Sequence, residues 1–195
     1  MIPSTFYHVY NRANGNENLF LQEKNYNFFL EKFSKHSMPI ADTYAYSLLP
    51  NHFHFLIKTK TEADIESAFG KFQTFQKLEE RISKQFSNLF SSYTQSINKV
   101  YERKGSLFTP NFKKKEITSD DYLSNLIRYI HANPVHHGFV KDMIDWPHSS
   151  IHAFLSQKKT SLKRDEVLDW FGGREEFIKF YSQPIDRKMS LDLEF

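Results

Sequence analysis

The 195-residue chain has no cysteine. That excludes a disulfide scaffold, a zinc–thiolate centre and a cysteine nucleophile, and it suits a reducing compartment. No run of about 18 apolar residues occurs, so no membrane-spanning helix is expected. The opening stretch MIPSTFYHVYNR lacks the charged head and apolar middle of a secretory signal. These absences lead us to expect a cytoplasmic protein with no membrane partner. A Gly-rich phosphate loop is also missing, and no internal repeat or low-complexity tract stands out. The length suits one domain with a small appendage, able to bury its own core without a metal or disulfide.

Aromatic residues, by contrast, are plentiful: Phe alone counts 20 and outnumbers Leu. The net charge of +3 conceals an uneven distribution. Between Lys99 and Lys115 stand Lys99, Arg103, Lys104, Lys113, Lys114 and Lys115 against the single acid Glu102. Residues 165–195 carry eight acids and four bases. A basic middle of this kind suits phosphate groups, although a plain solvated face explains the same charges.

Periodicity predicts a strand from Phe6 to Asn11, a polar loop to Asn18 and a helix from Asn25 to Phe33. Tyr44–Leu49 and His52–Lys58 read as two strands of a hairpin around Pro50-Asn51. Thr61 and Asp64 form a helix-start pattern. Apolar residues then recur every three or four positions from Ile65 to Val100, giving one very long helix or, on length, two. Gly105 ends this region, and Phe112–Ile117 reads as a fourth strand. A second capping pattern at Thr118–Asp121 opens a helix that Pro134 is expected to stop. Beyond Trp146-Pro147 the pattern is mixed, with a short helix near Glu175–Tyr181. The order β-α-β-β-α-α-β-α implies an α+β fold with an antiparallel sheet. Helices on one face would leave the other face open to a ligand.

Two segments carry candidate chemistry. On a strand, His52, His54, Leu56 and Lys58 share one face, and Phe53, Phe55 and Ile57 share the apolar one. The two imidazoles at i and i+2 can reach one cation, and equally fit satisfied polar residues. In the later helix Tyr129 falls at the margin of the apolar stripe, and Asn133 lies one turn further on the same side. Asn133 could add a hard oxygen ligand beside the imidazoles. A boundary aromatic and a helix C-cap explain the same two residues. His8 is a reserve ligand if the first strand adjoins the third. His131, His136, His137, His148 and His152 follow no zinc spacing and read as surface or ligand-facing residues. Tyr93 and Tyr122 are weaker nucleophile candidates, because both lie on buried stripes.

The segments PNHFHFLIK and RYIHANPVHHGFV, followed by DWPHSS, resemble the single-tyrosine HUH transposases of the insertion-sequence-200 type. YHVYNR and GSLFTPNFKKKEI narrow the resemblance to the transposases associated with repetitive extragenic palindromes (REP). It spans roughly residues 6–155, in chain order. It implies a transposase domain over 1–155 with a ferredoxin-like sheet; residues 156–195 lie outside the match and read as an acidic extension, helical in part. His52 and His54 match the HUH histidines and would hold Mg²⁺ or Mn²⁺. Tyr129 matches the nucleophile, and Asn133 sits where the family places a polar third ligand. The implied substrate is single-stranded DNA beside a hairpin, nicked and rejoined through a 5′-phosphotyrosine.

A tyrosine of pKa about 10 is a poor nucleophile at neutral pH, so a metal that polarises the scissile phosphate gives the constellation its sense. Two imidazoles suit Mn²⁺ better than oxygen-loving Mg²⁺. Arg12, Arg103, Lys104, Lys113, Lys114, Lys115 and Arg128 are the candidate DNA contacts. Three successive strand lysines cannot share a face. The acidic tail is not expected to touch DNA, and residues 62–86 depart from the family pattern. Within this family a monomer is favoured over a homodimer. Two rival readings remain: a hairpin DNA- or RNA-binding protein that does not cut, and a metal phosphodiesterase that uses water.

Overall fold

The computed structural model describes residues 1–183 of the chain. The elements are β1 (Phe6–Arg12), α1 (Glu23–Ser37), β2 (Ala41–Leu49), β3 (His52–Thr59), α2 (Glu62–Phe69), α3 (Phe75–Val100), β4 (Lys113–Glu116) and α4 (Asp120–His136). A 3-10 turn at Met143–Asp145, α5 (Ile151–Leu155), α6 (Arg164–Trp170) and α7 (Arg174–Ser182) follow. The first eight elements have the order expected from the sequence.

The long apolar stripe is two helices. Gly70, at φ 83°, takes a backbone conformation that a side chain would strain, and α2 ends there. The Thr61 and Thr74 hydroxyls cap α2 and α3, accepting from the amides of Asp64 and Lys77. One expectation fails: Pro134 does not stop α4, which runs on to His136. The ring sits in the last turn, where few hydrogen bonds remain to be lost. The carbonyls of Asn133 and Pro134 still accept from His137 (3.1 Å) and Phe139 (2.9 Å).

The sheet is antiparallel with the ferredoxin-like order β2-β3-β1-β4. Leu49 pairs with His52 across the Pro50-Asn51 turn. The apolar face of β3 (Phe53, Phe55, Ile57) packs with α1 and α3 in one core, with Phe29, Phe33, Phe86 and Tyr93. Phe33 and Phe55 stack at 3.8 Å, and Phe29 meets Tyr93 edge-on at 4.9 Å. Much of the phenylalanine excess is thereby absorbed.

The second face is not open, contrary to expectation. A second core over it joins Tyr44 and Leu56 to Leu126, Ile127 and Ile130 of α4 and to Phe154, Val167 and Phe177 of the later helices. The short helices α5–α7 bury apolar side chains that have no other outlet. The extension is tied to β2: the Tyr44 hydroxyl donates to Glu166 Oε2 at 2.7 Å, and Trp170 stacks on Tyr44 at 5.2 Å. The last part of the predicted acidic extension, 184–195, lies outside the described residues. Among the described residues no helix is long and apolar enough to cross a membrane.

The α1–sheet core makes a direct stability prediction. Phe29 is fully buried whereas Phe75 is half exposed. Phe29→Ala should cost about 3–5 kcal/mol in urea unfolding, and Phe75→Ala less than about 1 kcal/mol. Equal costs would contradict the packing described.

Candidate functional site

Strand alternation, helix periodicity and sheet register converge on one patch between β3 and α4. His52 and His54 project from β3 with ring centroids 5.3 Å apart and planes at 90°. From α4, the Tyr129 ring meets His54 edge-on at 5.7 Å. One turn on, Asn133 Oδ1 lies 2.8 Å from His52 Nε2. Because α4 stays helical through Pro134, Asn133 keeps the i, i+4 relation to Tyr129. The patch is closed: His52 is 4%, His54 1%, Tyr129 4% and Asn133 0% exposed.

Protonation sharpens the chemistry. Burial lowers the pKa of His52 to about 4, with the Asn133 contact opposing and His137 and Arg12 assisting. Burial holds His54 well below its usual value, helped by His8 and His52. Both rings are therefore neutral at pH 7, the form that ligates a metal. A neutral imidazole has one N–H, yet His52 faces two amide oxygens at 2.8 Å: Asn51 Oδ1 at Nδ1 and Asn133 Oδ1 at Nε2. If Asn51 takes the Nδ1 proton, the Nε2 lone pair points at the Asn133 oxygen. Asn133 Nδ2 is buried and makes no hydrogen bond among the described residues. In that tautomer Asn133 satisfies His52 without a cation only by turning its amide over, whereas in the other Nε2–H donates to the Asn133 oxygen. The first tautomer brings two lone pairs together as two ligands of one cation would. Among the described residues no group of three His, Cys, Asp or Glu side chains is arranged to hold a metal. A metal here would rest on His52, His54 and the Asn133 oxygen, a mixed nitrogen–oxygen set suited to Mn²⁺.

The sequence undervalued β1. Its register opposes Tyr10 to His54 and Arg12 to His52. His8 Nε2 lies 2.8 Å from His54 Nδ1, and His8 itself is 1% exposed. Tyr10 stacks on His54 at 5.7 Å. The usable signal was the alternation His8, Tyr10, Arg12, which antiparallel pairing sets against the histidine strand. His137 reaches the patch too, its ring 4.6 Å from His52.

The basic residues divide. Lys113 and Lys115 pair with Tyr10 and His8 and so share the histidine face. Lys114 pairs with Val9 on the opposite face and reaches Ser83 of α3 at 3.5 Å. All three lysines are exposed, as are Arg12 and Lys104. Arg103 bonds Glu17 and Asn98. Arg128 lies over the Phe180 ring at 4.9 Å and bonds the Gln183 carbonyl, which turns it toward α7. Its pKa is lowered by burial.

The remaining histidines correct one expectation. His131 is neither on the surface nor ligand-facing. It is fully buried, 2.8 Å from the Tyr181 hydroxyl and 2.7 Å from Ser150 Oγ. It ties α4 to α7 and to the loop beside β2. His148 stacks on Tyr26 at 3.5 Å and meets Glu23 at 3.2 Å, and exposed His152 lies 3.1 Å from the Trp146 carbonyl. Tyr93 donates to the Leu19 carbonyl at 2.8 Å inside the first core, which removes it as a nucleophile. Tyr122 carries Lys115 over its ring at 5.0 Å.

The buried imidazoles predict acid sensitivity. His8 and His131 fall to about 3 and His52 to about 4, all by burial. The unfolded chain binds protons near pH 6.5 where the folded chain does not, so stability is lost as pH falls below that value. Urea midpoints of the metal-free protein should hold from pH 8 to 7 and drop steeply between about 6.5 and 4. An unchanged midpoint at pH 5 would contradict the neutral, buried assignment.

No family model matches the chain. A putative REP-associated tyrosine transposase of Haemophilus influenzae is 32% identical over 114 residues, covering 57% of this chain and 59% of that protein. The REP-associated tyrosine transposase of Escherichia coli K12 is 30% identical over 91 residues, covering 45% of this chain and 52% of that protein. The matched region thus spans little more than half the length of these relatives. A solved structure of a REP-associated tyrosine transposase bound to a REP hairpin superposes with a TM-score of 0.57 at 22% identity, covering 80% of this chain and 82% of that one. At that identity the likeness speaks for the fold. On sequence and fold together, the chain is similar to the REP-associated tyrosine transposases.

Proposed function

We propose that the protein is a metal-dependent DNA strand transferase that nicks and rejoins single-stranded DNA beside a hairpin, with Tyr129 as nucleophile. The observation that carries this reading is the meeting of Tyr129 with His54, and of Asn133 Oδ1 with His52 Nε2, in one buried patch. The names of its relatives agree with it.

In this reading the Tyr129 oxygen attacks the scissile phosphorus. The bond to the 3′ oxygen breaks, the phenol proton leaves to solvent, the departing 3′ oxygen takes a proton from solvent, and a 5′-phosphotyrosine and a free 3′-hydroxyl remain. Attack by a 3′-hydroxyl reverses the step without an outside energy source. His52, His54 and Asn133 would hold the divalent metal, Mg²⁺ or Mn²⁺, which supplies charge neutralisation at the phosphate. Arg12, exposed at the end of β1 opposite His52, and Lys113 and Lys115 on the same face, would hold flanking phosphates. The Tyr129 side chain is covered as the chain stands, so substrate entry requires a movement of the elements around it.

The test is a denaturing gel of the protein with labelled single-stranded hairpin DNA and Mn²⁺. A slow-migrating adduct is expected, absent in Tyr129→Phe and after metal chelation. His52→Ala and His54→Ala should reduce it roughly 100-fold or more. Cleavage without an adduct would point to a phosphodiesterase that uses water, and binding without cleavage to a DNA-holding module. Either result overturns the proposal. In a separate binding series, Lys113→Gln and Lys115→Gln should each lower the logarithmic salt slope of DNA affinity by about 1. Unchanged slopes would remove both lysines from the DNA surface.

A further inference from the structure

The mechanism above leaves one buried polar side chain unused, although it touches two of the residues that mechanism employs. His8 lies in the middle of β1. Its Nε2 is 2.8 Å from His54 Nδ1, the two rings stack at 5.1 Å, and its other side meets Tyr129 edge-on at 6.3 Å. The pair is diagonal across the antiparallel ladder, because His8 is registered on Leu56 and His54 on Tyr10. Both rings are about 1% exposed.

The pair is held together by a single shared proton. If His8 donates, His54 accepts at Nδ1 and must carry its own proton on Nε2. If His54 donates from Nδ1, its Nε2 is left as a lone pair. Only the second arrangement allows His54 to bind a cation through Nε2, the nitrogen away from His8. A ligating His54 therefore needs an acceptor for its Nδ1 proton, and His8 Nε2 stands at hydrogen-bond distance from it. Metal-bound histidines in general are oriented by such a partner on the second nitrogen.

We infer that His8 is a positioning residue: it accepts the Nδ1 proton of His54, fixes that ring's tautomer and orientation, and thereby presents Nε2 to the divalent cation. His8 is thus not a reserve ligand, since the nitrogen nearest the site is committed to His54. The same ring also packs beside Tyr129, which meets His54 directly. This inference rests on the metal site of the proposed function.

Three measurements test it on the full chain. Free Mn²⁺ is titrated by electron paramagnetic resonance against wild type, His8→Leu and His8→Gln. His8→Leu, which cannot accept, should bind Mn²⁺ about 10–100-fold more weakly. His8→Gln, whose amide oxygen can take the proton, should stay within about 3-fold of wild type. Long-range ¹H–¹⁵N spectra of the Mg²⁺-loaded wild type should show His54 protonated at Nδ1 and bare at Nε2. Mn²⁺ affinity unchanged in His8→Leu, or a proton on His54 Nε2, overturns the inference while leaving the metal reading intact. Wild type that binds no Mn²⁺ overturns both. If His8→Leu does not fold, as judged by circular dichroism, the His8→Gln titration and the wild-type spectra still decide.

Discussion

Everything in this molecule hangs on β3 being buried on both faces. Phe53, Phe55 and Ile57 enter one core, and His52, His54 and Leu56 enter the other. A two-residue alternation is thereby forced into fixed register. Sliding β3 by one position would put both imidazoles into the aromatic core and three large apolar groups into the polar patch. The hairpin at Pro50-Asn51 and the central pairing with β1 hold that register from both sides. The chemistry is a by-product of the same constraint, since the imidazoles are kept neutral by the burial that pins the strand.

The two cores differ in kind. The α1–α3 side is built from stacked and edge-on phenylalanines. The α4 side mixes aliphatic packing with a chain of polar contacts: His8 with His54, His52 with Asn133, and His131 with Tyr181 and Ser150. Polar groups buried this deeply destabilise unless paired, so each contact orients its neighbours as well as satisfying itself. The helix bearing Tyr129 is thus located by hydrogen bonds as much as by apolar area.

Much of this was legible in the chain itself. The alternation of β3, the Pro50-Asn51 hairpin and the cap at Thr61 are local signals. So is the apolar stripe from Ile65 to Val100, although its spacing does not mark the break at Gly70, where a positive φ ends α2. What escaped was non-local. The passage of α4 through Pro134 depends on carbonyls finding partners in the following turn, which overrides the local preference of the preceding residue. α4 covers part of the second face, and the rest of the cover comes from helices of five to nine residues, too short for periodicity to declare their buried side. His8 reaches His54 on a diagonal, a relation that no spacing within β1 or β3 encodes. The burial of His131 likewise depends on Tyr181, 50 positions away.

The split between the two cores also sets an order of assembly. The aromatic core is complete once residues up to Phe112 are available, because its members all precede that point. The polar face is closed by segments that come later in the chain: Tyr46 meets Ser150, 104 positions on, and Tyr44 meets Glu166, 122 positions on. During synthesis the N-terminal sheet and its aromatic side can therefore condense first, with the histidine strand still facing water. In the folded chain these imidazoles titrate well below the ordinary value of 6.5, so near or below about that pH the arrival of α4 and the helices behind it releases protons, and the last folding step is there also a deprotonation.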